Sequence, residues 1–588
     1  MIKNTAFPLK AESVRTSTCT STSHSSSSAF SIVTPILSIC VALSAYSPLA
    51  AQAAPPPDSG ALLQQNKPAP TVTPSTDNTG LVLEPQITSS LPASAPFMVS
   101  AIAIDGNTLF ATKTLHDLVS NVEGHEQTLQ QLGEAVARIT AYYHSHDYPM
   151  ARAYIPAQTI HDGIVRVAVV EARYGQIRMT NHSLVQNDVV HSTLSGLQSG
   201  AQIEQNQLNR SLLLLSDLPG VSAASVIQPG EAVGTSDLVI DAAPTSQWNG
   251  NVAADNYGNR YTGRARAIGT LNWIDPLNRG DVLSVSALTT GNDMNNFSLF
   301  YETQIGGEGT RAGASSSTLS YKLGDSLYNI GGHGAAQVDS LWIKYPWQRS
   351  IDVNVYSQLQ VDYKKLSDEI DTANIQTNRH INSVAFSLNG DARDSLLAGA
   401  VTTWSLAWKL GQLDFDNGAA QALDAQSART EGSFMKWNGS YSRLQNLTPD
   451  TALFVALSAQ LSNNNLDSAE KMVAGGAYTV RAYDMGAVSG DNGLLGNLEL
   501  RQNLGNFGAA GLWQAVAFID SERVTVNQNT WTTATNSASL SGVGLGLNWS
   551  NSDGWHARVY AANPIGTESI LVGEDKKVRG WAEVGAWF

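Results

Sequence analysis

Between residues 247 and 588, apolar and polar positions alternate in many short runs, and no apolar run is long enough for a helix to cross a bilayer. In segment 353–363, Val353, Val355, Leu359, Val361 and Tyr363 share one face, with Ser357 the exception. Asn354, Tyr356, Gln358, Gln360 and Asp362 share the other. In segment 402–410, Trp404, Leu406, Trp408 and Leu410 oppose Thr403, Ser405, Ala407 and Lys409. A period of two puts such rows on opposite faces of a strand. A soluble β-sandwich also alternates, but it could hardly leave so many Trp and Leu rows exposed to water. A bilayer core has no water to satisfy a free sheet edge, so a spanning sheet must close on itself. The region therefore predicts a transmembrane β-barrel. At about 9–11 residues per crossing, its length leaves room for roughly 16 antiparallel strands.

Upstream, the period changes. After a strand containing Val99, Ala101 and Ile104, helical patterns run over 111–121 and 126–144. In the second, Leu129, Leu132, Val136, Ile139 and Tyr143 fall on one face. Strands are expected over 150–155 and 163–174. The order then repeats: strand 176–180, helices 184–195 and 204–216, strands 221–228 and 236–242. Two β-α-α-β-β modules, 97–173 and 174–244, thus precede a barrel over 245–588.

Residues 54–96 are rich in Pro, Ala, Ser and Thr and read as a linker. Within it, 60–65 is a short helix candidate. Residues 1–53 hold three basic residues, an apolar stretch broken by Pro35 and Pro48, and Ala51-Gln52-Ala53. They read as a signal peptide cleaved after Ala53, with a retained anchor as the alternative. Both cysteines, Cys19 and Cys40, lie there, so the mature chain would lack thiol chemistry and cysteine metal sites. Removing that segment's three basic residues and one acidic residue from 35 and 50 leaves 32 and 49, a net charge of −17. Such a surface repels phosphate, which argues against nucleic acid as a partner. No Ser/His/Asp grouping has catalytic spacing, and no enzyme activity, cofactor or metal is expected. His144-Ser145-His146 reads as a solvated helix end, and Gly542, Gly544 and Gly546 as small wall positions where something approaches closely.

Several stretches carry a family resemblance. Leu218-Pro219-Gly220-Val221 with the Pro229-Gly230 turn, Asp255–Ala267, Asp275–Asp281 and Tyr345–Ser350 together resemble the TpsB transporters of two-partner secretion, the haemolysin secretion/activation family. The resemblance implies two periplasmic POTRA (polypeptide-transport-associated) modules, an outer-membrane barrel whose Trp587-Phe588 end is the β-signal read by the barrel-assembly machinery, and a pore exporting a large TpsA-like exoprotein. Val480-Arg481-Ala482-Tyr483 resembles the motif at the tip of a loop, around 475–493, folded back into the lumen. Phe518-Ile519-Asp520-Ser521-Glu522 resembles the motif on the inner wall. The implied latch pairs Arg481 with Asp520, with Ala482 and Glu522 standing where the family has glycine. In a wet lumen such a pair contributes roughly 0–1 kcal/mol, whereas breaking a desolvated one costs about 3–5 kcal/mol. The resemblance also implies a plug helix in the linker and capture of the exoprotein by an exposed strand edge, 150–155 or 221–228. A barrel-assembly insertase and a passive porin are the rival readings.

Overall fold

The computed structural model describes residues 56–67, 75, 77, 79–83, 92–506, 511–567, 569–572 and 577–588; the expected signal peptide and its two cysteines lie outside the described residues. Sixteen antiparallel strands form a closed barrel, from Trp248–Asp255 to Arg579–Trp587. Each strand pairs with its sequence neighbour, and the first closes on the last over Asn251–Asp255 and Glu583–Trp587. Phe588 extends that seam through backbone hydrogen bonds in both directions with Gly250.

The expected rows fall on the expected sides. Leu359, Val361 and Tyr363 are exposed on the outer wall, as are Leu406, Trp408 and Leu410. Asn354, Asp362 and Thr403 are buried on the inner one. The ends of the strands nearest the soluble modules carry exposed Trp248, Trp273, Trp347, Trp555 and Trp587, the aromatic girdle of a membrane interface.

In the first module a helix, Leu129–Ser145, packs Leu132, Val136, Ile139 and Tyr143 onto a three-stranded sheet of Ala101–Asp105, Ile164–Val170 and Arg152–Tyr154. The helix begins later than its apolar spacing suggests. Thr128 caps it in a capping box with Gln131, and His125–Gln127 forms a strand against Phe97–Val99. The strand expected over 163–174 is two strands, because Ile164–Val170 ends in the first sheet while Arg173–Asn181 begins the second. Asp147, in the left-handed region at φ 78°, ties the modules together. Its carbonyl and carboxylate accept from the backbone N–H groups of Gln205 and Asn206, capping helix Gln205–Ser216, which has no side-chain cap of its own.

The second module orders its strands as Leu81–Leu83, Val221–Pro229, Thr235–Pro244 and Arg173–Asn181. The first of these comes from the linker and was not legible in the sequence. It runs parallel to Val221–Pro229, with Leu81, Val82 and Leu83 opposite Ser225, Val226 and Ile227. One of the two expected open edges is therefore occupied.

The second module docks on the barrel through three of the stretches that carried the resemblance. Gly220 and Leu218 lie against Asp275 and Gly280 of the turn at 275–281. The Gln186 N–H donates to the Asn278 carbonyl, and Arg210 donates to the Pro346 carbonyl at 3.1 Å. Arg349, its side chain fully buried, makes a two-pronged pair with Asp217 at 2.7 and 2.9 Å. It also donates to Asn354, which donates to Asp391. Asp391 in turn accepts from Ser75 of the linker at 2.7 Å. This end of the barrel is thus the one that carries the soluble modules. Substituting Arg349→Ala removes the ion-pair partner of Asp217 in the joint, while Asn354 keeps Ser350 and Asp391, and is expected to weaken docking by about 3 kcal/mol. Limited proteolysis between 244 and 248 should then be several-fold faster at unchanged barrel folding, as read by heat-modifiable mobility.

Candidate functional site: the barrel lumen and its loop

A sixteen-stranded cylinder is wide enough to leave an aqueous channel. Here, among the described residues, two elements occupy it. The first is helix Ser59–Gln65, within the segment read as a plug candidate. Seven residues form no stable helix alone, so its stability comes from its surroundings. Leu62 and Leu63 bury against Leu319, Leu366, Ile381, Leu413 and Phe434 of the inner wall, at about 1.5–3 kcal/mol for each fully buried leucine. Asp58 caps the helix, accepting from the Ala61 N–H at 2.8 Å. It also pairs with Arg379 at 3.0 Å. Arg379 is 3% exposed and holds Asp368 and Asp467 as well, and Asp368 accepts from Ser59 N–H and Oγ. One wall guanidinium thereby joins the helix to the loop that bears Asp467.

That loop, 463–491, is the second element. Its base is a 3-10 turn, Ser468–Glu470, capped by Asp467. Glu470 is buried among Lys364, Lys409 and Lys436, which project inward from three strands; Lys436 lies 2.7 Å and Lys409 3.6 Å from its carboxylate. Above the base, Met472–Ala474 pairs with Val488–Gly490 as a short hairpin inside the barrel. Gly475 and Gly476, at φ 89° and 122°, turn the chain toward the tip.

The tip is Val480-Arg481-Ala482-Tyr483, all buried. Arg481 Nε and Nη2 donate to the two oxygens of Asp520 at 2.9 and 2.7 Å, and its backbone N–H donates to the same carboxylate at 3.1 Å. Nη1 lies 2.7 Å from Glu499, itself held by Arg501. The guanidinium sits 3.5 Å from the centroid of Phe518, a cation–π contact. Trp581 Nε1 donates to the Arg481 carbonyl, and Asn497 donates to both Asp520 and the Thr479 carbonyl. With Arg481 5% and Asp520 0% exposed, the pair is desolvated and the higher of the two energies applies.

The glycines act by close approach. A Cβ at Gly542 would collide with the Ala482 methyl, and one at Gly544 with the Phe518 ring. Gly542 leaves room for Ala482 in the place of the family glycine. Glu522 points into the same apolar cluster, is 1% exposed, and has no hydrogen-bond partner for either oxygen among the described residues. Glu499, Asn497 and Trp581 escaped the sequence reading because their roles arise from strands distant in the chain. Arg379 and the three lysines were legible only as inward-facing polar positions.

Residues 234–549, more than half of the chain, match the family described as haemolysin secretion/activation protein ShlB/FhaC/HecB. The chain belongs to this family. Residues 97–172 also match the ShlB-type POTRA domain. This haemolysin secretion/activation family member is similar to the heme/hemopexin transporter protein HuxB of Haemophilus influenzae, with 26% identity over 520 residues covering 87% of this chain and 91% of the relative. The outer membrane transporter CdiB of Escherichia coli is 23% identical over 451 residues, 75% of each chain. The solved structure of CdiB from Escherichia coli aligns at a TM-score of 0.68 and 20% identity, covering 90% of this chain and 96% of that one. BamA from Haemophilus ducreyi lacking POTRA domains 1-3 aligns at 0.52 and 12% identity, covering 84% and 100%. These structural likenesses show a shared fold, and the family places the barrel in the outer membrane with its POTRA region in the periplasm.

Removing the guanidinium leaves the buried Asp520 carboxylate with only the Arg481 N–H and Asn497 as donors, and leaves Glu499 with Arg501 alone as its cation. Arg481→Ala should cost the seated loop about 3–5 kcal/mol, and Arg481→Lys most of that, because an ammonium cannot reproduce the fork. Hydrogen exchange across 475–487 should quicken by two orders of magnitude or more, with strand exchange unchanged.

Proposed function

We propose that this chain is the outer-membrane pore of a two-partner secretion pair. It takes an extended exoprotein from the periplasm and passes it through the barrel once helix 59–65 and the upper part of loop 463–491 have left their seats. The observation that carries the reading is a lumen closed by two non-wall elements, each held by ion pairs that can re-form. A passive porin has no need of them. The periplasm supplies no ATP, so the driving force is the apolar surface that the exoprotein buries as it folds outside.

Recognition is by strand addition. Among the described residues the edge strand Arg152–Tyr154 has a neighbour on one side only, whereas Val221–Pro229 carries Leu81–Leu83. An incoming segment that displaces Leu81–Leu83 also pulls on the linker at Ser75 and Asp77, where Asp391 and Arg393 hold it. Capture and unplugging are in this way one event. The units 97–173 and 174–244 act as receptor, the second also as hinge, and 245–588 as pore, after cleavage of the leader near Ala53. The mature chain is inserted in the lipid of the outer membrane by the barrel-assembly machinery, which reads Trp587 and Phe588.

Deleting the gene should remove one large exoprotein from the medium while other outer-membrane barrels assemble normally; general barrel depletion would instead indicate an insertase. Arg481→Ala should reduce that secretion while the barrel still inserts. Deletion of residues 54–75 removes helix 59–65 and should raise single-channel conductance in planar bilayers. Unchanged conductance would exclude the helix as a plug.

A further inference from the structure

The joint between the second module and the barrel contains two acids that none of its ion pairs uses. Asp275 and Asp281 open and close the turn between strands Arg266–Ile274 and Val282–Thr289, and they are 2% and 0% exposed. Their Oδ1 atoms are satisfied locally. That of Asp275 accepts from the Gly280 N–H at 2.8 Å, and that of Asp281 from the Leu277 and Arg279 N–H groups at 3.3 Å. Among the described residues neither Oδ2 atom, both buried, has a hydrogen-bond partner, although the two side chains interact across the turn. Two ionised carboxylates so placed would repel in a site that water does not enter. A single proton between them satisfies both orphan oxygens at once.

We propose that Asp275 and Asp281 form a proton-binding site that holds the second module on the barrel. The shared proton keeps the turn in the shape on which the module rests. Gly220 lies against the Asp275 side chain and Leu218 against Gly280, and the Asn278 carbonyl accepts from Gln186. Asp275, Asn278 and Gly280 all have positive φ, so the turn is held by its hydrogen bonds more than by backbone preference.

The titratable and charged groups around Asp275 are few. Asp281 faces it, Arg279 belongs to the same turn, and the Tyr301 hydroxyl lies against Asp281 from the next strand. On the module's side Leu218 and Gly220 carry no charge, and the neighbouring Asp217 is engaged by Arg349. Burial, reinforced by the charge of Asp281 and opposed by the Gly280 N–H, pushes the Asp275 carboxyl up to about 6. A raised value means that the docked form binds the proton more tightly than the undocked one. The contribution is thus complete in acid and lost as pH rises through about 6.

The test uses the full-length protein in nanodiscs with spin labels at V233C, on the second module, and L396C, on a periplasmic turn, both exposed. Between about pH 5 and about pH 8 the distance distribution should broaden with a midpoint near the Asp275 value. D281N supplies an amide N–H where the proton sat and should stay narrow throughout; D275N supplies it from the other side, should one variant fail to assemble. A wild-type distribution that does not change with pH, or variants that broaden as the wild type does, would overturn the proposal. So would broadening on addition of EDTA at about pH 5, which would assign the site to a cation.

Discussion

A sheet that crosses a bilayer must close, and a closed sheet of sixteen strands encloses more space than its own inward side chains can fill. The rest of this structure is a response to that constraint. The inner wall is not uniformly polar. It carries one apolar patch around Leu319, Leu366, Ile381 and Leu413, and another around Phe518, Val524 and Leu540. The linker helix covers the first and the loop tip the second. Each would be a costly exposed surface in an empty channel, so closure of the lumen and burial of these patches are the same event.

Two arginines set how reversible that closure is. Arg379 collects Asp58, Asp368 and Asp467, and Arg481 collects Asp520 and Glu499. Buried ion pairs add little net stability over apolar packing, but they penalise partial separation heavily. The seated state is therefore well defined geometrically without being exceptionally stable. Because Arg379 contacts the helix and the loop base together, departure of one weakens the seat of the other. The lysine triad around Glu470 anchors the loop base from three more strands, which confines large motion to the loop's upper part.

On the periplasmic side the same logic runs through the joint. Asp217, Arg349, Asn354, Asp391 and Ser75 form an unbroken series of hydrogen bonds from the module's helix end to the linker. The sheet edge that holds Leu81–Leu83, the docking turn of 275–281 and the seat of the lumen helix share residues or adjoin one another. In the proposed mechanism, passage through this pore is gated by an extended peptide replacing a three-residue strand.

Much of this architecture was legible from residue patterns because it rests on short-range periodicity. Alternation with a period of two dictated the strands and which side chains face lipid, and helical spacing dictated the module helices, since both follow from backbone geometry alone. The capping box at Thr128 and the split at Glu171-Ala172 were misplaced by a few residues, because caps and sheet changes depend on which strand lies alongside. The loop and wall motifs located Arg481 and Asp520, but not whether the lumen around them was wet. Burial there depends on Phe518, Glu499 and Trp581 meeting from three strands, and on Gly542 leaving room for Ala482. Likewise, no local pattern in Leu81–Leu83 reveals a strand, since a parallel pairing across some 140 residues exists only once the module offers its edge. Sequence specifies what each segment can pair with; which unsatisfied edge or patch it meets is decided by closure of the whole sheet.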